Sequence, residues 1–215
     1  MTDFDAYHFT HSHADHIGGV EELLLLSRYF NKSKPAVIIS EVFQDILWEK
    51  SLKGGCEYNE TGLLRFSDYA CPIRPAWIRS QPREMHQVSL FGIDLIIFRT
   101  AHIPGDVAQW ERAFWSNGLL IDGKALFSGD TRFDPTLFED VLNPGNGVTH
   151  IFHDCQLFSP GTVHASYDEL KTLPAHLRQI MRLIHYGDSF ETMDPVRDGF
   201  AGFARPWEIY RIGRY

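Results

Sequence analysis

Six consecutive residues, His11-Ser12-His13-Ala14-Asp15-His16, put three imidazoles and a carboxylate within one short stretch of chain. Neutral imidazole nitrogen and carboxylate oxygen are ligands that zinc and neighbouring first-row metals accept. Packed this tightly, they are enough to begin two sites rather than one. Two metals need further ligands, and three more residues stand where a strand end would present them. His102 lies in Arg-Thr-Ala-His-Ile-Pro-Gly, Asp130 in Ser-Gly-Asp-Thr and His185 in Leu-Ile-His-Tyr-Gly-Asp. Each follows an apolar run and precedes glycine or a polar turn, where a rigid scaffold carries its functional loops. A lone histidine at a strand end is ordinarily structural or solvated. Three such positions beside the first motif reverse that reading. A histidine-rich surface loop or an affinity tag would not carry Asp15 in register, nor an apolar helix directly after it.

The elements that must position these residues are also readable. Ala6, Tyr7 and Phe9 form a short apolar lead-in and Gly18-Gly19 follows, so the motif sits at a strand-to-helix turn. Residues 20–30 predict a helix, 36–39 a β-branched strand, and 41–52 a second helix with Val42, Ile46 and Leu47 at helical spacing. Residues 53–75 show no pattern and are expected to be irregular. From Trp77 to Phe98 the chain reads as short strands, the last pair turning at Phe91-Gly92. Leu119 to Phe127 reads as a hairpin around Asp122-Gly123, a pair suited to a type I′ turn. Val148 to Phe152 is another apolar strand. Ser166, with Glu169 three residues on, has the spacing of a capping box, and a helical stretch from Leu177 leads into a strand over 182–184. Helices and strands alternate, which predicts an α/β layered class.

With 215 residues, 44% of them hydrophobic, the chain suits a single domain over 1–215 with a substantial core. It has no apolar run of membrane-spanning length. Three widely spaced cysteines (Cys56, Cys71, Cys155) argue against a disulfide framework and for a reducing cytoplasm. A net charge of -8 disfavours long nucleic acid and favours a small-molecule substrate.

These motifs resemble the metallo-β-lactamase fold superfamily of dinuclear metallohydrolases, over nearly the whole chain. The resemblance implies a four-layered αβ/βα sandwich with two divalent metal ions at one edge of the facing sheets. Zinc is the expected metal, with manganese or iron as alternatives; the superfamily's diiron redox members carry Glu where this chain has His13. Carried over, His11, His13 and His102 would hold one metal, and Asp15, His16 and His185 the second, with Asp130 bridging. Asp15 would also orient the nucleophilic water or take its proton. The superfamily places several strands before the first motif, whereas ten residues precede His11 here. The first sheet is therefore expected to be incomplete at its N-terminal side, completed by preceding chain, a second copy or a partner.

The stretch 151–188 is similar to the phosphodiesterase branch that includes the tRNA 3′-processing endonuclease RNase Z. That resemblance makes His164 a general acid and Asp154 its orienting carboxylate. Asp154 stands where the branch has Glu, and Cys155-Gln156 where it has small or hydroxyl residues. The basic arm that grips tRNA is not evident, so the expected substrate is a smaller phosphodiester, such as a cyclic nucleotide or a phospholipid headgroup. The alternatives are a lactonase or thioester hydrolase of the same fold, or a metal-binding subunit without turnover. His153 is expected to be a buried strand residue. His8, His86, His150 and His176 are assigned to packing or surface, and Trp110 and Trp115 to packing rather than a substrate wall.

Overall fold

The computed structural model describes residues 3–60, 62–104, 110–142 and 147–212. The chain forms two compact units, Met1–Ala76 and Trp77–Tyr215. In the first, β1 (Tyr7–His8) leads to α1 (Ala14–Ile17) and α2 (Val20–Tyr29). There follow β2 (Ala36–Ile38), α3 (Glu41–Leu47), a π-helical turn over Trp48–Leu52 and α4 (Lys53–Cys56). The hairpin β3 (Tyr58–Asn59) and β4 (Gly62–Leu63), α5 (Phe66–Tyr69) and β5 (Cys71–Ile73) complete it. Strands β1, β2 and β5 form a three-stranded parallel sheet in that order.

Helix α2 forms because Val20, Leu23, Leu24 and Ser27 recur at three- and four-residue intervals and bury one stripe. Glu21 and Glu22 sit in its first turn, where they complement the helix dipole. Helix α3 starts where the Ser40 hydroxyl accepts from the Phe43 amide at 3.2 Å. The segment 53–75, expected to be irregular, carries five short elements instead. Each spans two to four residues, too few for a hydrophobic period to register.

The second unit comprises β6 (Ala76–Arg79), β7 (Met85–Leu90), β8 (Ile93–Ala101), β9 (Trp115–Ile121), β10 (Ala125–Phe127), α6 (Leu137–Val141) and β11 (His150–Asp154). After these come α7 (Tyr167–Leu170), α8 (Ala175–Arg178), β12 (Met181–Ile184) and β13 (Gly202–Phe203). All eight strands join one sheet in the order β13-β12-β11-β10-β9-β8-β7-β6. The meander β7 to β10 is antiparallel. Its two tight turns fall at Phe91-Gly92 and Asp122-Gly123, all four residues at positive φ, the backbone that type I′ turns need. From β10 to β13 the strands run parallel.

One face of this sheet makes the core. Leu120, Leu126, Ile151 and Met181 lie opposite one another across four strands, all fully buried. Leu137 and Phe138 of α6 and Tyr167 and Leu170 of α7 belong to the same apolar cluster. Gly118 faces Phe98 so closely that a Cβ would meet its ring. Arg83 is a fully buried cation. It donates to Asp134 Oδ2 at 2.6 Å, to Asp140 Oδ2 at 2.9 Å and to the Arg99 carbonyl at 2.8 Å, and so ties the start of β7 to α6 and to the loop before it. Among the described residues, no helix is long and apolar enough to cross a membrane.

Strands β8 and β10 both run antiparallel to β9, and β11 and β12 run parallel to β10. Four strands therefore share one direction, and their carboxyl ends line one edge of the sheet.

Candidate metal centre

In the first unit, the loop after β1 folds the hexapeptide onto itself. His13 caps α1, its carbonyl accepting from the amides of His16 and Ile17 at 3.0 Å each. That single turn gathers the rings. His11 Nε2 lies 3.0 Å from His13 Nδ1, and the His11 and His16 rings are 4.1 Å apart. Two nitrogens on one tetrahedral zinc, each at ~2.0–2.1 Å, stand about 3.3 Å apart, so the His11–His13 spacing suits a shared cation. The Thr10 hydroxyl lies 3.1 Å from His11 Nδ1 and 3.3 Å from His16 Nδ1. It can donate to one ring and accept from the other, so both rings turn Nε2 away from it, His11 toward His13 and His16 toward Asp15. Asp15 is exposed, its Oδ2 3.4 Å from His16 Nε2.

In the second unit, the site residues sit along the shared carboxyl edge. His102 follows β8, Asp130 follows β10, Asp154 ends β11 and His185 follows β12. Two of these placements need unusual backbone. Gly129 (φ 60) turns the chain into Asp130, in the left-handed region that favours glycine. His185 itself has φ 58, a conformation that costs a non-glycine residue ~1–3 kcal/mol and recurs at functional positions.

Asp130 is buried, and three imidazoles surround it. Its Oδ2 lies 3.8 Å from His102 Nε2, 3.6 Å from His185 Nε2 and 4.0 Å from His164 Nδ1. In His102 and His185 the opposite ring nitrogen is engaged elsewhere. His102 Nδ1 lies 2.9 Å from the Val163 carbonyl, which can only accept, so Nδ1 carries the proton and Nε2 is a lone pair turned toward Asp130. His185 Nδ1 lies 3.4 Å from Asp154 Oδ1, which leaves its Nε2 for Asp130 in the same way. Lone pairs and a carboxylate converging at 3.6–3.8 Å repel one another unless a cation lies among them. The donor set therefore fits a divalent metal, and the groups behind the ligands are of the kind that fix metal-bound imidazoles. One trio, His102, Asp130 and His164, and a second, Asp154, His164 and His185, each bring their ligand atoms within 4.8 Å of one another.

Asp154 is fully buried at the hub of this arrangement. Its Oδ2 accepts from His164 Nδ1 at 2.7 Å and from the Thr131 amide at 2.9 Å. Burial pushes its carboxyl up, but hydrogen bonds from His164 and His185 outweigh that and hold it below the usual carboxylate range. Burial pulls the His164 imidazole down, yet the Asp154 hydrogen bond and the charges of Asp154 and Asp130 win and raise it. His164 does not cap α7; Ser166 does, with Glu169 returning the bond in a capping box. His153 is buried on the opposite face from Asp154, donating from Nδ1 to the Asp154 carbonyl and packing on Phe138. Burial holds it below the ordinary histidine value, which fits a neutral packing residue. His8 stays in the sheet, bonded to the Ile38 carbonyl. Trp110 donates to the Pro82 carbonyl, and Trp115 stacks at 3.9 Å under the Arg99 guanidinium. Both are packing residues. Thr10, Thr131, Gln156 and the Val163 carbonyl escaped sequence reasoning, because an orienting partner has no spacing signature.

The profile of the family described as "Anti-Pycsar protein Apyc1" matches residues 1–210. The chain belongs to the Apyc1 family. The Apyc1 protein of Paenibacillus harenae is 32% identical over 211 residues, covering 98% of this chain and 79% of that protein. The Apyc1 protein of Bacillus phage BSP38 is 33% identical over 194 residues, 89% of this chain and 72% of that protein. Two solved structures share the fold. One is the crystal structure of a new diphosphatase from the PhnP family, with TM-score 0.59 and 19% identity over 86% of this chain. This chain spans 62% of that diphosphatase's length. The other is the metallo-β-lactamase fold protein YhfI from Bacillus subtilis, with TM-score 0.58 and 14% identity over 94% of this chain and 74% of that one. The Apyc1-family chain thus has the metallo-β-lactamase fold.

Proposed function

We propose that the chain is a metal-dependent hydrolase of small phosphodiesters, such as a cyclic nucleotide. In this reading the two clusters act as one dinuclear centre. His11, His13 and His102 would hold one ion and Asp15, His16 and His185 the other, with Asp130 as a ligand available to both. Zinc suits imidazole and carboxylate donors best, with manganese or iron as substitutes. Bound there, the ions would supply a water of near-neutral pKa and offset charge on the phosphoryl oxygens.

The remaining chemistry belongs to the chain. Asp15 orients the attacking water and accepts its proton. As the bond from phosphorus to the leaving oxygen breaks, His164 gives that oxygen the proton from Nε2. Asp154 holds the opposite nitrogen and stabilises the imidazolium before transfer. Hydrolysis leaves a phosphomonoester and a hydroxyl group, both on one molecule when the diester is cyclic. General-acid help of this kind contributes ~10²–10⁴ in rate. The observation that carries the reading is the 2.7 Å bond from His164 to a buried, ionised Asp154, 4.0 Å from Asp130. A thioester hydrolase, whose thiolate leaves without a proton, needs no such pair. The net charge of -8 further favours a small substrate over a nucleic-acid chain. The three cysteines are free thiols, which fits a cytoplasmic protein.

The test uses zinc- or manganese-loaded protein with 3′,5′-cyclic nucleotides, bis-(p-nitrophenyl) phosphate and a lactone panel. Phosphodiester turnover should fall ~10²–10⁴-fold in His164→Ala on the cyclic nucleotides, with the metal content kept. Lactone hydrolysis indifferent to His164→Ala, without phosphodiester turnover, would replace this assignment.

A further inference from the structure

His164 rides on a loop whose shape is set by one side chain that the chemistry does not use. Gln156 directly follows Asp154-Cys155 at the end of β11 and is buried. Its amide nitrogen donates to two carbonyls of the loop ahead, Phe158 at 2.8 Å and Pro160 at 3.0 Å. Its amide oxygen accepts from the Thr162 hydroxyl at 3.4 Å. Residues 157–163 are thus wrapped around a single amide, with both N–H groups and the carbonyl in use.

The base of the loop is closed by backbone. The Gln156 amide donates to the Ala165 carbonyl at 2.7 Å, and the Tyr167 amide donates to the Gln156 carbonyl at 2.8 Å. The loop has no slack inside: a Cβ at Gly161 would meet the Glu169 carboxylate and come within 2.7 Å of the His164 carbonyl. Two site residues depend on this shape. His164 follows the loop and reaches Asp154. The Val163 carbonyl, inside the loop, is the acceptor that fixes His102 Nδ1. The next amide, Ala165, donates to the Thr131 carbonyl at 2.9 Å, beside Asp130.

We infer that Gln156 is the positioning residue that sets His164 and His102 together, acting through the loop 157–163 and touching neither ring. The inference rests on the phosphodiesterase reading for its kinetic consequence alone. Replacing the amide by a carboxylate keeps the size but turns two donors into acceptors facing carbonyl oxygens. That opens the loop and moves the proton donor.

The experiment compares the parent with Gln156→Glu, metal-loaded, on two diesters of different leaving group. On a 3′,5′-cyclic nucleotide, whose alkoxide must be protonated to leave, kcat/KM should fall ~10–100-fold, the scale of a lost orienting partner. On bis-(p-nitrophenyl) phosphate, whose nitrophenolate leaves without a proton, the loss should be clearly smaller and confined to what the shifted His102 costs at the metal, because general-acid help matters only where the leaving group needs it. Gln156→Leu, which lacks the donors but not the bulk, should show the same asymmetry more weakly and covers the case in which the glutamate variant fails to fold. A second readout is independent of turnover. In spectra of ¹⁵N-histidine-labelled protein, the Nδ1–H signals of His164 and His102 should both move in the variants while that of His153 stays. Equal losses on the two diesters, or His164 and His102 signals at their parent positions, would overturn the assignment. If the parent cleaves neither diester, the phosphodiesterase reading fails and the ring signals alone decide the role of Gln156.

Discussion

The two clusters of candidate ligands, one in each unit, are assembled by opposite means. In the first unit, His11, His13, Asp15 and His16 come from six consecutive residues, and one helical turn capped by His13 brings them together. In the second, His102, Asp130, Asp154, His164 and His185 are spread over more than eighty residues and meet because four strands of one sheet point the same way. The local half needs little beyond a strand end and a turn. The dispersed half needs a folded core, a register and two left-handed backbone positions at Gly129 and His185. Substitutions remote from the metal should therefore damage the second set and spare the first.

The largest effect of that kind is expected at Arg83. Removing one partner of a fully buried ion pair costs ~3–5 kcal/mol, because the carboxylates left behind lose their counter-charge. Arg83→Ala should lower the unfolding midpoint in urea accordingly and release the loop after Asp130. A change within error of the parent would show that Asp134 and Asp140 do not depend on it.

Asp154→Asn should come next. The side chain keeps its shape but loses the charge that holds His164 and His185, at ~10–100-fold in activity or metal affinity. The same substitution also tests the electrostatics. The parent's His164 imidazole is raised by Asp154, so it keeps its proton to higher pH than an ordinary histidine. In Asp154→Asn the alkaline limb of the rate profile should move to lower pH. A profile that does not move would take His164 out of the proton transfer.

The smallest effect should come from Ser166→Ala. It deletes the α7 cap next to His164, for about 1 kcal/mol of stability, and should leave the bis-(p-nitrophenyl) phosphate rate nearly unchanged. A loss on that substrate comparable with Asp154→Asn would mean that the capping box does more than start a helix.

The same contrast explains what the sequence disclosed. The hexapeptide is legible as a string because its ligands are neighbours. His102, Asp130 and His185 are legible less directly, through the apolar runs that precede them and the turn residues that follow. The Asp122-Gly123 hairpin and the Ser166–Glu169 box were readable because each rests on chemistry a few residues wide. The short elements between Lys53 and Ile73 were not, since no period fits in two to four residues. Neither was the work of Gln156, Thr131 or Thr10, whose hydrogen bonds depend on which strands end side by side. Arg83 looked like any surface arginine until the fold placed it against two aspartates.

The measurement that reaches the central claim is metal stoichiometry across the two halves. Elemental analysis of the parent, His13→Ala, His102→Ala and the double variant should find two tightly held divalent ions in the parent. If both histidines serve a common ion, as proposed, each single variant should lose one, and the double variant should lose that same one and no more. Additive losses, or a parent with no bound transition metal, would contradict the account.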